Sequence, residues 1–286
     1  MTRNAFQILS PDQVTTSVIF ASPHSGRDYP ADLMTRTRLN ALQVRSSEDA
    51  FVDRLFACAP DHGAPLICAQ VPRAYVDMNR AADELDPAIV EGVRRKGHNP
   101  RITSGLGVIP RVVAGGMPIY TGKISFVEAE DRLARCWHPY HAALRRLLGQ
   151  AHAAFGEAIL IDCHSMPHEA LDGVARNARR RPDVVIGDRF GASAAGDVVD
   201  RIEAAFSAAG LNVVRNAPFA GAYMTQHYGR PARNQHAVQV EIDRSLYMDE
   251  RRIEPLPEFD EIADMIRRVV GDIATLGRSS LPLAAE

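Results

Sequence analysis

Short apolar runs separated by helical stretches constrain this chain more than any other feature. They fall at 18–21, 66–71, 158–161, 183–186, 212–215 and 236–242. Runs this short and continuous suit strands buried on both faces, and such strands need helices packed above and below them. The pattern therefore predicts an α/β fold: a mixed, largely parallel sheet flanked by helices. Helices are expected over 48–59, 126–155, 191–209 and 258–276. In the second, Leu133, Trp137, Tyr140, Leu144 and Leu147 recur at spacings of three and four, the stripe of a helix lying on a sheet, while Pro139 predicts a kink or break. The Gly-, Pro- and Arg-rich stretch 94–118 lacks periodicity and is expected to be a long ordered loop of the kind that covers sites. A second such stretch, 168–182, is expected to be a mobile surface loop. Neither is long enough to link two domains, and 286 residues suit a single α/β domain spanning 1–286.

Composition narrows the partners. With 33 basic and 35 acidic side chains the formal charge is -2, and no interleaved basic and aromatic patch is present, which argues against nucleic acid and anionic membrane as partners. A small molecule is the expected ligand, and self-association into a homo-oligomer is left open. The four cysteines, Cys58, Cys68, Cys136 and Cys163, include no CxxC pair, so reduced thiols are expected. No apolar run approaches the ~20 residues needed to span a bilayer, and the first residues do not read as a secretory signal, so a cytoplasmic location is expected.

The chemistry is expected at the strand ends. SVIFASPHSG ends its apolar run three residues before His24, and AILIDCHSMP does the same before His164. Ligands of open α/β sheets sit beyond the carboxyl ends of the strands, where side chains from separate strands converge. Two imidazoles there can bind a metal or move protons. One carboxylate would complete a zinc site of two histidines and one acid with a position left for water. The candidates are Glu48 and Asp49 in SSEDAFVDRLF. Helical phase, with Phe51, Val52, Leu55, Phe56 and Ala59 as the buried stripe, turns Glu48 closer to that stripe than Asp49, though acids also favour a first turn for their interaction with the helix dipole. In HAVQVEI, Val238, Val240 and Ile242 alternate with Gln239 and Glu241, which poises Glu241 as a general base if partial burial raises its pKa. Arg80 in YVDMNR and Arg230 in HYGRP carry guanidinium forks suited to gripping a carboxylate.

These segments, together with IYTGK at 119–123, WHPYHAAL at 137–144, GDRFG at 187–191 and IDRSLYMDE ending at Glu250, resemble the N-formylglutamate amidohydrolase family over most of the chain. The resemblance extends to the zinc carboxypeptidase and aspartoacylase fold, and it implies a zinc site from His24, His164 and a carboxylate, with Glu241 as base. It also implies that Asn79 and Arg80 hold a substrate carboxylate, and that the reaction belongs to histidine degradation. Those relatives carry their acidic ligand three residues after the first histidine. Here that position is Arg27, so the ligand must come from elsewhere. Similarity to formylglutamate hydrolases favours Asp49 where helical phase favours Glu48. The implied reaction is hydrolysis of an N-formyl or short N-acyl amino acid, N-formylglutamate first among them. The alternatives are another N-acyl amino acid, a peptide C-terminus as in a zinc carboxypeptidase, or a catalytically silent carboxylate-binding module.

Overall fold

The computed structural model describes residues 4–94, 97, 99–175 and 180–278. Seven strands form one sheet: β1 Phe6–Leu9, β2 Val18–Ser22, β3 Leu66–Ala69, β4 Ala158–Met166, β5 Val184–Gly187, β6 Val213–Arg215 and β7 Gln235–Asp243. Their order is β1-β3-β2-β4-β7-β5-β6. Pairs β3/β2, β2/β4, β4/β7 and β5/β6 are parallel, whereas β1/β3 and β7/β5 are antiparallel. The sheet is thus mixed and mostly parallel, flanked by helices, as the apolar runs lead one to expect. Every residue of β2, β3, β4 and β5 is buried, which is why the first four residues of each read as an unbroken apolar run, apart from Gly187 in β5.

Alternate residues of each strand feed two cores. Ile19, Ile67, Leu160 and Ala237 pack with Tyr140, Leu144 and Leu148 of the helix His138–Phe155. Phe20, Leu66, Ile161 and Val240 pack instead with the helices Gly196–Ala208 and Phe259–Leu276. Each leucine or isoleucine taken wholly out of water contributes about 1.5–3 kcal/mol.

Several expectations shift once the chain is folded. The edge strand β1, half-buried and pairing only with β3, carried no sequence signal strong enough to be read. Strand β4 runs five residues past Ile161 because β7 keeps pairing with it as far as Met166 opposite Asp243. The helix expected over 126–155 is helical throughout, with a π turn at Leu133–Trp137 between Phe126–Arg132 and His138–Phe155. Proline lacks the N–H that an α turn would use, and the π turn just before Pro139 absorbs that loss without ending the helix. Leu147 is half-buried, and Leu148 takes the core position beside Leu144. The helix expected from 191 begins only at Gly196, since Asp188 caps a turn through Gly191 N (3.1 Å) and Arg189 and Phe190 are left-handed.

The helix expected over 48–59 does not form. Phe51 is left-handed (φ 67°), which interrupts the chain and leaves one turn at Val52–Leu55 and a 3-10 turn at Ala59–His62. The loop at 94–118 is largely ordered, anchored through Val108 N to Glu84 O (2.9 Å) and Asp77 N to Val108 O (2.8 Å); its residues 95, 96 and 98 lie outside the described residues. In the stretch 168–182, short turns at His168–Leu171 and Asp172–Ala175 bury Leu171, and residues 176–179 lie outside the described residues. The cysteines are buried free thiols. Among the described residues no helix is long and apolar enough to cross a membrane.

Candidate metal centre and substrate cavity

The adjacent parallel strands β2, β4 and β7 end at the same edge of the sheet, and they deliver His24, His164 and Glu241 to one place. His164 lies directly opposite Glu241 in the β4/β7 register, so both side chains leave the same face of the sheet; Asp162 and Gln239 repeat the arrangement one pleat earlier. His24 stands two residues beyond β2, in a turn that depends on Gly26. A Cβ at Gly26 would lie 2.0 Å from Val71 O, so only glycine lets this turn pass the end of β3.

Asp49 reaches the histidines from the turn that replaces the expected helix, and its N–H donates to His24 O at 3.0 Å. One carboxylate oxygen, Oδ2, lies 2.9 Å from His164 Nδ1 and 3.4 Å from His24 Nδ1. Suitable donor atoms of His24, Asp49 and His164 all fall within 4.8 Å of one another, and all three residues are buried. The far nitrogen of each ring faces a further carboxylate: His24 Nε2 is 2.7 Å from Asp77 Oδ1, and His164 Nε2 is 2.9 Å from Asp162 Oδ1. Carboxylates behind the imidazoles are the usual second layer of a metal site, where they fix the tautomer and raise basicity.

Three observations bear on whether a cation fits. Among the described residues His24 Nδ1 is buried without a hydrogen-bond partner, a costly state for a ring nitrogen that lies beside Asp49. Burial alone would raise the Asp49 carboxyl, yet the His164 and His24 imidazoles outweigh it and hold Asp49 well below the usual carboxylate range. Burial disfavours charge on His164, but Asp162 first and then Asp49 reverse this and push its pKa well up. The cluster favours a positive charge at its centre. Two imidazole nitrogens and one carboxylate oxygen match a catalytic three-ligand zinc set.

Glu48 stands apart from this group. Its carboxylate accepts from Tyr29 Oη (2.7 Å) and from Arg45 Nε and a terminal nitrogen (3.0 and 3.2 Å), a closed network of its own. The helical-phase argument for Glu48 fails because there is no helix at this point to set the phase. Arg27, three residues after His24, pairs with Asp53 instead of leaving that position to an acid (3.1 Å).

The centre opens into a cavity of about 600 Å³, the size of a small-molecule site. The ordered loop after residue 100 supplies one wall through Arg101, Leu106 and Val112 to Gly116. Asn79 is held by Met224 N donating to its Oδ1 (2.7 Å), while its Nδ2 donates to Asp162 Oδ2 (3.0 Å) and lies 3.0 Å from His164 Nε2. Arg80 is buried along the wall, donating through Nε to Leu106 O (2.9 Å) and through Nη1 to Asn79 O (2.8 Å). Glu241 also lines the cavity and accepts from Gln239 Nε2 at 2.8 Å. Burial first of all, opposed by His164 and reinforced by Asp49, pushes its carboxyl up to about 7.

Arg230 is not brought to this cavity. It is exposed, donates to Gln226 O (2.9 Å) and Gly229 O (2.5 Å), and borders a separate surface depression with Arg145 and His152. The side chains that sequence reasoning passed over lie inside or beside motifs already noted. Asp77 belongs to YVDMNR and Arg73 stands two residues before that motif, Asp162 precedes His164 by two, and Arg244 follows Glu241 by three. Arg244 pairs with Asp49 Oδ1 (2.9 Å) and Arg73 with Asp77 Oδ2 (2.9 Å). Strand alternation was the available signal for Asp162, which shares the face of His164; nothing local marked the arginines.

The start of the helix His138–Phe155 braces the Asn79–Arg80 turn. Trp137 Nε1 donates to Arg80 O (2.9 Å), and His141 Nε2 lies 2.9 Å from Met78 O while its Nδ1 meets Tyr228 Oη (2.7 Å). Burial pushes the His141 imidazole down to about 3. The folded state therefore leaves this ring unprotonated while the unfolded chain, with a pKa of about 6.5, protonates it. Stability from this group is present above that value and is lost as pH falls from about 6.5 towards 3. His141→Gln keeps a donor and an acceptor, so its Tm should fall less steeply over that window than the wild type's; equal slopes would show that His141 contributes no such dependence.

A buried carboxylate beside a donor set fit for a cation, at the floor of a small-molecule cavity, is an arrangement that metal-dependent hydrolytic α/β enzymes use. Residues 16–248 match the family model described as N-formylglutamate amidohydrolase. The chain belongs to that family. It is 31% identical to the N-formylglutamate deformylase of Pseudomonas aeruginosa over 276 residues, covering 93% of this chain and 94% of that protein. To the N-formylglutamate deformylase of Pseudomonas putida it is 30% identical over 264 residues, 90% of each chain. The crystal structure of N-formylglutamate amidohydrolase from Ralstonia eutropha superposes with a TM-score of 0.90 at 32% identity, covering 98% of this chain and all of that one. A gene product of Agrobacterium tumefaciens, 17% identical with a TM-score of 0.62, shares the fold over 96% of both chains.

Proposed function

We propose that this chain hydrolyses N-formyl-L-glutamate to formate and L-glutamate with the help of one zinc ion. The observation that carries the proposal is the convergence of His24, Asp49 and His164 beside Glu241 at the floor of one cavity. The names of the Pseudomonas and Ralstonia relatives supply the substrate. In this reading His24, His164 and Asp49 hold the metal. Bound there, zinc supplies Lewis acidity, which polarises a carbonyl and makes water easier to deprotonate.

The chain's own residues perform the rest. Arg80, with Asn79 beside it, binds the α-carboxylate and fixes the formyl amide over the centre. Glu241 takes a proton from the attacking water as its oxygen bonds to the formyl carbon, and then delivers that proton to the departing nitrogen. The C–N bond breaks, formate keeps the new oxygen, and the amine leaves as glutamate. Asp77 and Asp162 hold the two imidazoles in the tautomers that point Nδ1 inwards.

The direct test is formate release from N-formyl-L-glutamate by zinc-loaded protein, with N-acetyl-L-glutamate for comparison. Formate release that depends on zinc is expected, and its absence at millimolar substrate would refute the proposal. Arg80→Lys keeps the charge but loses the planar fork, so it should lower kcat/KM by about 10- to 100-fold, the worth of hydrogen bonds between charged groups. Unchanged kinetics would take Arg80 out of the site.

A further inference from the structure

Three of the four arginines that line the cavity are buried or semi-buried with fixed partners, and their partners sort them. Arg73 is neutralised by Asp77 and Arg244 by Asp49. Arg80 and Arg101 are different: among the described residues, no carboxylate pairs with either guanidinium. Arg80 is only 7% exposed, and among the described residues its side chain bonds only to backbone carbonyls. Desolvation, the largest influence on it, pulls its pKa down, with Asp77 opposing and Arg73 and Arg101 reinforcing. Glu84 acts on both guanidinium groups but forms no ion pair with either among the described residues, so a desolvated cation with a second one near it still gains from an anion that joins them directly.

The local structure fixes the Arg80 side chain and the Arg101 backbone relative to each other. Arg101 sits in a single turn, Pro100–Thr103, capped by Asn99, whose side chain accepts from Arg101 N at 2.9 Å. The carbonyl of Arg101 accepts from Leu106 N at 2.8 Å, and the carbonyl of Leu106 accepts from Arg80 Nε at 2.9 Å. One residue, Leu106, thus ties both arginines together. The loop that carries it is secured by Arg111, which pairs with Asp86 Oδ2 at 2.9 Å and donates to Thr103 O at 3.2 Å.

We propose that Arg101 is the specificity residue of this site: it binds the side-chain carboxylate of the substrate while Arg80 binds the α-carboxylate. This rests on the proposed hydrolysis and narrows it. It also gives Arg101 the second-carboxylate role that the sequence suggested for Arg230. A site that aims a charged donor at a carboxylate rejects the neutral analogue, because the donor is then left without its partner.

The test compares kcat/KM for N-formyl-L-glutamate and N-formyl-L-glutamine, which differ only by an amide in place of the side-chain carboxylate. The wild type should prefer formylglutamate by about 10- to 100-fold, the worth of a charge-assisted hydrogen bond. Arg101→Gln should erase that preference by lowering the rate on formylglutamate alone, and Arg101→Lys should restore part of it. The proposal is overturned if the wild type shows no preference, if Arg101→Gln keeps it, or if Arg101→Gln slows both substrates by the same factor. Should the wild type hydrolyse neither compound, the hydrolytic reading fails and calorimetric binding decides the role of Arg101 by itself. Glutarate should then bind at least about 10-fold more tightly than butyrate to the wild type and equally to Arg101→Gln. Any other pair of affinities overturns the assignment.

Discussion

Replacing Glu241 with glutamine is expected to leave zinc and substrate binding nearly intact and to lower kcat by about 10²–10⁴-fold, the span that general acid–base catalysis supplies. Glutamine keeps the size of the side chain and can keep the contact with Gln239 by turning its amide, so the loss reads the missing proton acceptor and not a collapsed site. Burial pushes the Glu241 carboxyl up to about 7. The base acts in its ionised form, so kcat/KM of the wild type should fall as pH drops through the neutral region, and a cation held beside it moves that fall to lower pH. The glutamine variant should lose this acidic limb in its residual rate. Loss of zinc from the variant would make Glu241 a support for the metal, and a near-normal kcat with zinc retained would exclude it as the base.

The second large effect concerns the metal. His24→Ala and His164→Ala should each abolish stoichiometric zinc, measured by elemental analysis after reconstitution, and activity should disappear with it. Asp49→Ala should lose zinc as well, whereas Glu48→Ala should retain it, since Glu48 is satisfied by Tyr29 and Arg45. Asp77→Asn provides a graded control: it keeps the ligands but weakens the support behind His24, for which a loss of about 10- to 100-fold in affinity is typical. Full zinc in both histidine variants would sink the assignment, and zinc loss in Glu48→Ala but not Asp49→Ala would return the carboxylate to Glu48.

The contrast between Glu48 and Asp49 shows where local reasoning reaches its limit. Helical phase is sound only if a helix exists, and the left-handed Phe51 interrupts the chain just after these residues. Asp49 instead meets His164 across 115 positions of sequence, with an orientation fixed by Arg244, which is 195 positions from it. No window of sequence spans such distances. Arg230 fails for the same reason in reverse: it is a plausible guanidinium beside a turn, carried by its fold to another face.

The sequence by itself determined the buried strands, because burial on both faces demands unbroken apolar runs. It determined the alternation that sets Glu241 against Val240, and it set His24 and His164 each three residues beyond an apolar run. Resemblance to formylglutamate hydrolases favours Asp49 over Glu48. Only the tertiary structure decided which charges are neutralised and which remain free in the cavity. Arg73, Arg80, Arg101 and Arg244 read alike along the chain, yet folding sets a carboxylate against two of them: Asp77, four residues on, against Arg73, and Asp49, 195 positions away, against Arg244. Side-chain periodicity is a property of one element. Charge pairing is a property of the space between elements, which the packing of the sheet, the helices and the loop after residue 100 creates together.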